Sequence, residues 1–310
     1  MVNLTSIKIS HTGSFLPGNP VTNDDLREIV DTSDEWIYSH TGIKERHFVN
    51  DEQCSDLAIK AIENMNCNID DVDGIIVATA TPDFNGFPST ACIISEKLNL
   101  TSVNTAFDMS AGCTGFIYAL ETAKALIVSG SCKKIIVVGA EVVSKVIDFK
   151  DRNTCVLFGD GAGCALVEEG DWVVNSYLGC ENDGSDKLYI SKNNHIHMEG
   201  QAVYKFAVKS IVDTIEKICK KNNLSLDDID CIVPHQANSK IIKAAASRLK
   251  MDSSKFFLNL ERTANTSAAS IPIALDELNK ANKLKDGDNV IFVGFGAGLT
   301  YGGNYIKWKN

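Results

Sequence analysis

The chain has 310 residues, 44% of them apolar and 23% charged, with a formal net charge of -10. That composition can bury one large core or two medium ones and excludes a disordered chain. No apolar run approaches the ~20 residues of a membrane span, the N-terminus shows no basic-then-apolar leader, and the negative charge argues against general binding to nucleic acid. The expectation is a soluble, cytoplasmic protein with neither membrane nor nucleic acid among its partners.

Along the chain, Ile/Val-rich strand patterns alternate with helical ones. The run 74-GIIVATA-80 is followed by an apolar helix pattern, 115-GFIYALETAKALIVSG-130, then by 134-KIIVVGA-140. Further on come the amphipathic stretch 202-AVYKFAVKSIVDTIEKICKK-221 and the runs 231-CIVPH-235 and 289-NVIFVGF-295. This alternation predicts an α/β fold with buried sheets. It is also repeated: 69-IDDVDGIIV-77 echoes 226-LDDIDCIVP-234, 134-KIIVVG-139 echoes 289-NVIFVG-294, and SAGCTGFIYAL echoes NTSAASIPIAL, at offsets of 155 to 157 positions. Three matched elements in one order predict two copies of one unit, residues 1–170 and 171–310, packed face to face with a site between them. The stretch from about 141 to 200 is read as containing the linker between the halves, with no clear repeat partner.

There are ten cysteines and no C-x-x-C pair. Burial is the expectation for nine of them, and a disulfide framework is not expected without a secretion signal. Cys113 differs by context. Small residues flank it and an apolar helix follows, so the thiol sits near a helix N-terminus, where the dipole favours thiolate; a merely buried cysteine fits that segment equally well. His235 lies directly after an apolar strand, at a strand end followed by a polar loop, the place where α/β proteins present functional groups. Asn265 lies at a loop-to-helix junction, where a helix cap is the commoner role. A Cys…His…Asn order also occurs in papain-like hydrolases, so order alone does not choose a reaction. The pair in 195-HIH-197 has no evident third ligand, and no metal is expected. Asp108 and Asp160 read as turn or cap residues, and Asp70-Asp71 and Asp227-Asp228 as solvated loop charges.

Context does choose. TSDEWIYSHTGIKERHF, DMSAGCTGF, LFGDGAGCALVE, IVPHQAN, ERTANTSAASIPIAL and GFGAGLTYGG, in that order, resemble the β-ketoacyl-[acyl carrier protein] synthase III family of thiolase-superfamily condensing enzymes. The resemblance spans essentially the whole chain; GDGAG lacks the lysine and spacing of a phosphate loop. It implies a thiolase-like α/β fold of two duplicated halves, with central mixed sheets in a layered αβαβα core. It implies a decarboxylating Claisen condensation of a short acyl-CoA with malonyl-[acyl carrier protein], giving a 3-oxoacyl-[acyl carrier protein] through an acyl-Cys113 intermediate. His235 and Asn265 would stabilise the enolate, and the backbone N–H groups of Cys113 and Ala297 would form the oxyanion hole. No cofactor would be needed. Trp36, Arg152, Phe87, Phe158, Gln201 and Phe295 would contact substrate, and Phe87 would reach a second subunit, implying a homodimer. Lys205, Lys209, Lys240 and Lys243 would meet the acidic carrier protein. His40 and Gln201 depart from the usual arginine and asparagine, which puts the mode of CoA binding in question. An acyltransferase without decarboxylation, a condensing enzyme of a specialised pathway and a cysteine hydrolase are the alternatives, and the starter acyl group is open.

Overall fold

A computed structural model describes residues 6–309. The first sheet is built from β1 (Ser6–Phe15), β4 (Gly74–Ala78), β5 (Thr105–Met109), β6 (Lys134–Glu141) and β7 (Gly161–Gly170), in the order β1-β7-β6-β4-β5. Between β1 and β4 the chain makes an excursion through β2 (Val21–Thr22), α1 (Asn23–Leu26), α2 (Asp34–Thr41) and β3 (Glu45–Arg46), then forms α3 (Cys54–Glu63). Helices α4 (Thr90–Lys97), α5 (Gly115–Val128) and α6 (Arg152–Cys155) precede β5, β6 and β7. The second sheet takes β8 (Val174–Cys180), β11 (Cys231–Pro234), β12 (Asn289–Gly296) and β13 (Thr300–Lys307), in the order β11-β12-β13-β8. A small hairpin, β9 (Leu188–Ile190) and β10 (Ile196–Met198), follows β8. The helices of this half are α7 (Gly200–Asn222), α8 (Ser239–Leu249), α9 (Leu260–Thr263) and α10 (Ser270–Lys280).

The two sheets share one plan. β4 and β6 pair parallel, as do β11 and β12; β7 is antiparallel to β6 and β1, as β13 is to β12 and β8. Strand β5 alone has no counterpart and forms an open edge. The halves are thus duplicates. Helices α5 and α10 lie between the sheets: α5 packs on β6, β4 and β1 and also on β13 and β12, while α10 packs on β7 and β1 and also on β11. Helices α3 and α4 cover the outer face of the first sheet, and α7 with α8 that of the second. The result is a thiolase-like stack of five αβαβα layers.

Strand chemistry explains the stack. Along β4, Ile75 and Val77 join the cluster under α3, while Ile76 and Ala78 join the one around α5. On β12, Ile291 and Val293 face α7 and α8, and Val290 and Phe292 face α5. Side chains alternate across a sheet, so a strand covered on both faces must be apolar throughout. Helix α5, sandwiched between sheets, is apolar nearly all round.

Some expectations need correction. The stretch 141–200, read as containing the linker and no repeat partner, also holds α6, β7, β8 and the β9–β10 hairpin, and β7 and β8 each have a counterpart in the other sheet. The run 74–80 is strand only as far as Ala78, while β11 ends at Pro234 with His235 directly after it. All ten cysteines are free, yet Cys92 and Cys180 are exposed rather than buried. Cys92 lies on the outer side of α4 and Cys180 closes β8, so the apolar letters around them are no guide to burial.

Candidate active site

The three candidate residues stand at element ends from different halves. A single turn of 3-10 helix, Gly112–Thr114, carries Cys113 into α5, and the matching turn Ser267–Ala269 leads into α10. Gly112 and Ser267, equivalent by the repeat, both adopt left-handed backbone, φ 52° and 51°. The end of β12 runs against the thiol-bearing turn: a Cβ on Gly296 would lie 2.8 Å from the Cys113 nitrogen, so only glycine fits. This close approach brings the Ala297 backbone beside that of Cys113.

His235 follows β11, with its backbone N–H donating to Val293 O at 2.8 Å. Its ring is 1% exposed, and Phe295 packs edge-on at 5.3 Å. Burial pushes its pKa down to about 3, so the ring is neutral at physiological pH. Nδ1 lies 2.7 Å from Ser270 Oγ, which also takes the Gln236 N–H at 3.4 Å. With the Ser270 hydroxyl proton directed to Nδ1, the single N–H of the neutral ring is on Nε2. Asn265 is held at both ends of its backbone, its N–H donating to Leu157 O at 2.9 Å and its carbonyl accepting from Gly159 N–H at 3.1 Å. Its Oδ1 accepts from Ser267 N–H at 2.9 Å, which orients the amide and leaves Nδ2 as its donor. The preceding Ala264 takes φ 54°, a strained setting for a non-glycine residue, as found at functional sites.

Cys113, His235 and Asn265 line one cavity of about 450 Å³, together with Phe158, Phe295 and Ala297. Its lining also takes in Ile190 and Met198 of the hairpin and Val203 and Tyr204 of α7. Burial pushes the Cys113 thiol up to about 12, opposed by its hydrogen bond to Ser267 Oγ at 3.4 Å. The other sequence-derived candidates stand apart from these cavity walls. Arg152 lies over the Trp36 ring, 4.7 Å from its centroid, and His40 stacks on the same indole at 4.6 Å. Gln201 is exposed in the first turn of α7, next to the cavity-lining Gly200. Phe87 is 93% exposed on the loop before α4. Lys205 and Lys209 on α7, and Lys240 and Lys243 on α8, are all exposed.

Sequence reasoning missed Glu141, Ser267 and Ser270 as site residues. The two serines lie inside the NTSAAS segment, and a glutamate closing an otherwise apolar strand was the signal for Glu141. Asp108 caps α4, accepting from Thr90 and Ala91 N–H groups, and Asp160 accepts from Val49 N–H and from Ser144 N–H and Oγ. Among the described residues no group of three or more His, Cys, Asp or Glu is arranged to hold a metal; His197 packs on Tyr189 instead. No described helix is long and apolar enough to cross a membrane.

The chain matches two family models, 3-oxoacyl-[acyl-carrier-protein] synthase III over residues 107–182 and the C-terminal part of the same synthase over residues 219–308. It is 46% identical to the β-ketoacyl-[acyl-carrier-protein] synthase III of Clostridium acetobutylicum, covering 98% of this chain and 99% of that one. The chain belongs to the β-ketoacyl-[acyl-carrier-protein] synthase III family. It is 48% identical to the family member of Caldanaerobacter subterraneus, with 96% of each chain covered. The crystal structure of the Aquifex aeolicus synthase III superposes with a TM-score of 0.94 at 40% identity, over 98% of this chain and all of that one. Like other synthase III proteins, the chain is a condensing acyltransferase that serves fatty acid synthesis.

Proposed function

We propose that the enzyme condenses a short acyl-CoA with malonyl-[acyl carrier protein], using Cys113 as acyl carrier and His235 with Asn265 as the enolate clamp. The observation that carries this reading is the convergence of these three residues on one largely apolar cavity. Cys113 attacks the acyl thioester, and the tetrahedral oxyanion takes hydrogen bonds from the Cys113 and Ala297 N–H groups. After CoA leaves, the malonyl thioester enters, and its carbonyl oxygen accepts from His235 Nε2–H and Asn265 Nδ2–H. Loss of CO₂ leaves an enolate held by these two neutral donors, and its carbon attacks the acyl group on Cys113. A neutral imidazole suits this task, because it donates without surrendering a proton prematurely. The thioester is the electron sink, so the chemistry calls for no metal or organic cofactor.

Substrate delivery follows from the surroundings. The adenine of CoA stacks on Trp36 with Arg152 lifted from the ring, and Gln201 borders the pantetheine path, which Phe158 and Phe295 line further in. The exposed lysines of α7 and α8, on an otherwise acidic protein, meet the acidic carrier protein. A homodimer is supported by the unpaired edge strand β5, by the exposed Cys92 beside it (Sγ 3.9 Å from Ala106 O), and by the bare Phe87. The two halves are taken as residues 1–170 and 171–310, since the strands of the first sheet end at Gly170 and those of the second begin at Val174. The enzyme is placed in the cytoplasm, where CoA and the carrier protein are available.

The test is intact mass after exposure to a panel of acyl-CoAs, with Cys113→Ala as control. One adduct per chain, absent in the control and discharged with CO₂ release by malonyl-[acyl carrier protein], is expected, and the panel ranks the starters. An adduct that acylates amines or alcohols without CO₂ release would overturn the decarboxylating reading. Asn265→Ala should still form the adduct but discharge it on the order of 10²–10³ more slowly.

A further inference from the structure

Glu141 is a buried carboxylate with no part in the steps above. It ends β6, is 0% exposed, and lines the same cavity as Cys113. Oε2 accepts from Thr79 Oγ1 at 3.2 Å, Ala80 N–H at 3.0 Å and Thr81 Oγ1 at 2.6 Å. Oε1 accepts from Ser267 Oγ at 2.9 Å, and the Ala268 N–H adds a further bond. Burial raises the Glu141 pKa and makes it a better proton acceptor, while these donors oppose that shift by stabilising the ionised form without a cation.

Ser267 joins this group to the thiol. Its one hydroxyl proton goes to Glu141, so toward Cys113 its oxygen can only accept, and the Cys113 Sγ–H points at it from 3.4 Å. The chain therefore has a direction, S–H to O–H to carboxylate. The internal repeat makes the arrangement stand out. Glu141 is the counterpart of Gly296, Ser267 of Gly112, and Ala268 of Cys113, each 155 positions on. Where Gly296 leaves the start of α5 open, the Glu141 carboxylate fills the matching place and takes the N–H of Ala268. Ser267 meanwhile keeps the left-handed backbone that its counterpart meets with glycine. A serine retained at a strained position points to a use for its hydroxyl.

We propose that Ser267 and Glu141 are positioning residues for the thiol, forming a path along which the Cys113 proton moves to Glu141 and later returns. The inference rests on the reading of Cys113 as acyl acceptor. In the first half-reaction the S–H bond breaks as sulfur attacks the thioester. The proton passes to Ser267 Oγ while the Ser267 proton passes to Glu141 Oε1, and CoA leaves as thiolate, to be protonated by solvent. In the second, the enolate carbon attacks acyl-Cys113 and the Cys113 thiolate departs. It regains its proton by the reverse transfer, leaving Glu141 ionised. Over the cycle the only proton consumed is the one solvent gives to CoA.

The experiment compares wild type, Glu141→Gln and Ser267→Ala across pH 6–9 in two readouts: acylation by acetyl-CoA, followed by intact mass, and alkylation of Cys113 by iodoacetamide. In wild type both rates should level off once Glu141 is ionised. In both variants the rates at pH 7 should fall on the order of 10²-fold and then climb about tenfold per pH unit, because the thiol must ionise to water. A variant whose pH profile parallels wild type, at any absolute rate, overturns the proposal, since a purely structural defect scales the rate equally at every pH. Ser267→Ala leaves the Ala80, Thr81 and Ala268 bonds to Glu141 in place, so it decides the matter if Glu141→Gln fails to fold. If no acyl-CoA of the panel labels wild type, the acyl-acceptor reading fails, and the iodoacetamide profiles still decide whether the path serves the thiol.

Discussion

Burial sets the chemistry of each group in this site. His235 is kept neutral by desolvation with no nearby anion to offset it, whereas Glu141 is held by a ring of hydroxyl and backbone donors. The same burial makes the histidine a measurable pH sensor of stability. Its folded pKa of about 3 lies below the ordinary value of 6.5. Between those pH values the unfolded chain binds a proton that the native state does not, so stability is lost as pH falls below about 6.5. The slope from this group is about 1.4 kcal/mol per pH unit. Chemical denaturation of wild type and His235→Ala at pH 7, 6 and 5 should show a steeper acid loss in wild type. Arg46, also 0% exposed, has no carboxylate bonded to it among the described residues: its guanidinium donates to Val21 O, Lys44 O and Val156 O, and burial pushes its pKa down to about 10. It ties the excursion carrying Trp36 to the segment carrying Phe158.

Among the elements, short segments that look unstructured in sequence place the site. Gln236 binds Pro234 O and Phe257 O through Nε2 and the Asn259 and Leu260 N–H groups through Oε1, locking the end of β11 to the start of α9. His235 and the loop bearing Asn265 are thereby fixed relative to each other. Helix α8 begins at Asn238, whose side chain caps Lys240 N–H and also donates to His40 O, joining α8 to α2. The lysines that follow are thus carried on a helix whose start, Asn238 and Ile241, lines the cavity. Lys240→Glu with Lys243→Glu should raise KM for malonyl-[acyl carrier protein] about tenfold or more at low ionic strength. The acyl-CoA labelling rate should stay near wild type, and added salt should narrow the difference.

At the scale of the whole molecule, the duplicated sheets bring together residues from opposite halves, with Cys113 entering from the first and His235 and Asn265 from the second. Strand β5, which has no counterpart in the second sheet, leaves an open edge beside the loop that carries Phe87. The proposed homodimer predicts wild type at dimer mass and Phe87→Asp, which places a charge at the bare aromatic, at monomer mass in size-exclusion chromatography with light scattering; wild type at monomer mass would overturn the dimer. Much of this architecture was legible in the sequence. Ile/Val runs alternating with helices, and their recurrence 155 to 157 positions on, are local patterns that follow from burying a sheet on both faces. So are the short segments around Cys113, His235 and Asn265 that mark the family. Only the tertiary structure decided that those three side chains share a cavity, that the histidine is neutral, and that Glu141 reaches the thiol through Ser267. It also decided that Cys92 and Phe87 face outward. The reason is physical: desolvation and hydrogen-bond partnership are properties of what packs around a group, and here the partners come from distant parts of the chain, Ser267 lying 126 residues from Glu141 and 154 from Cys113.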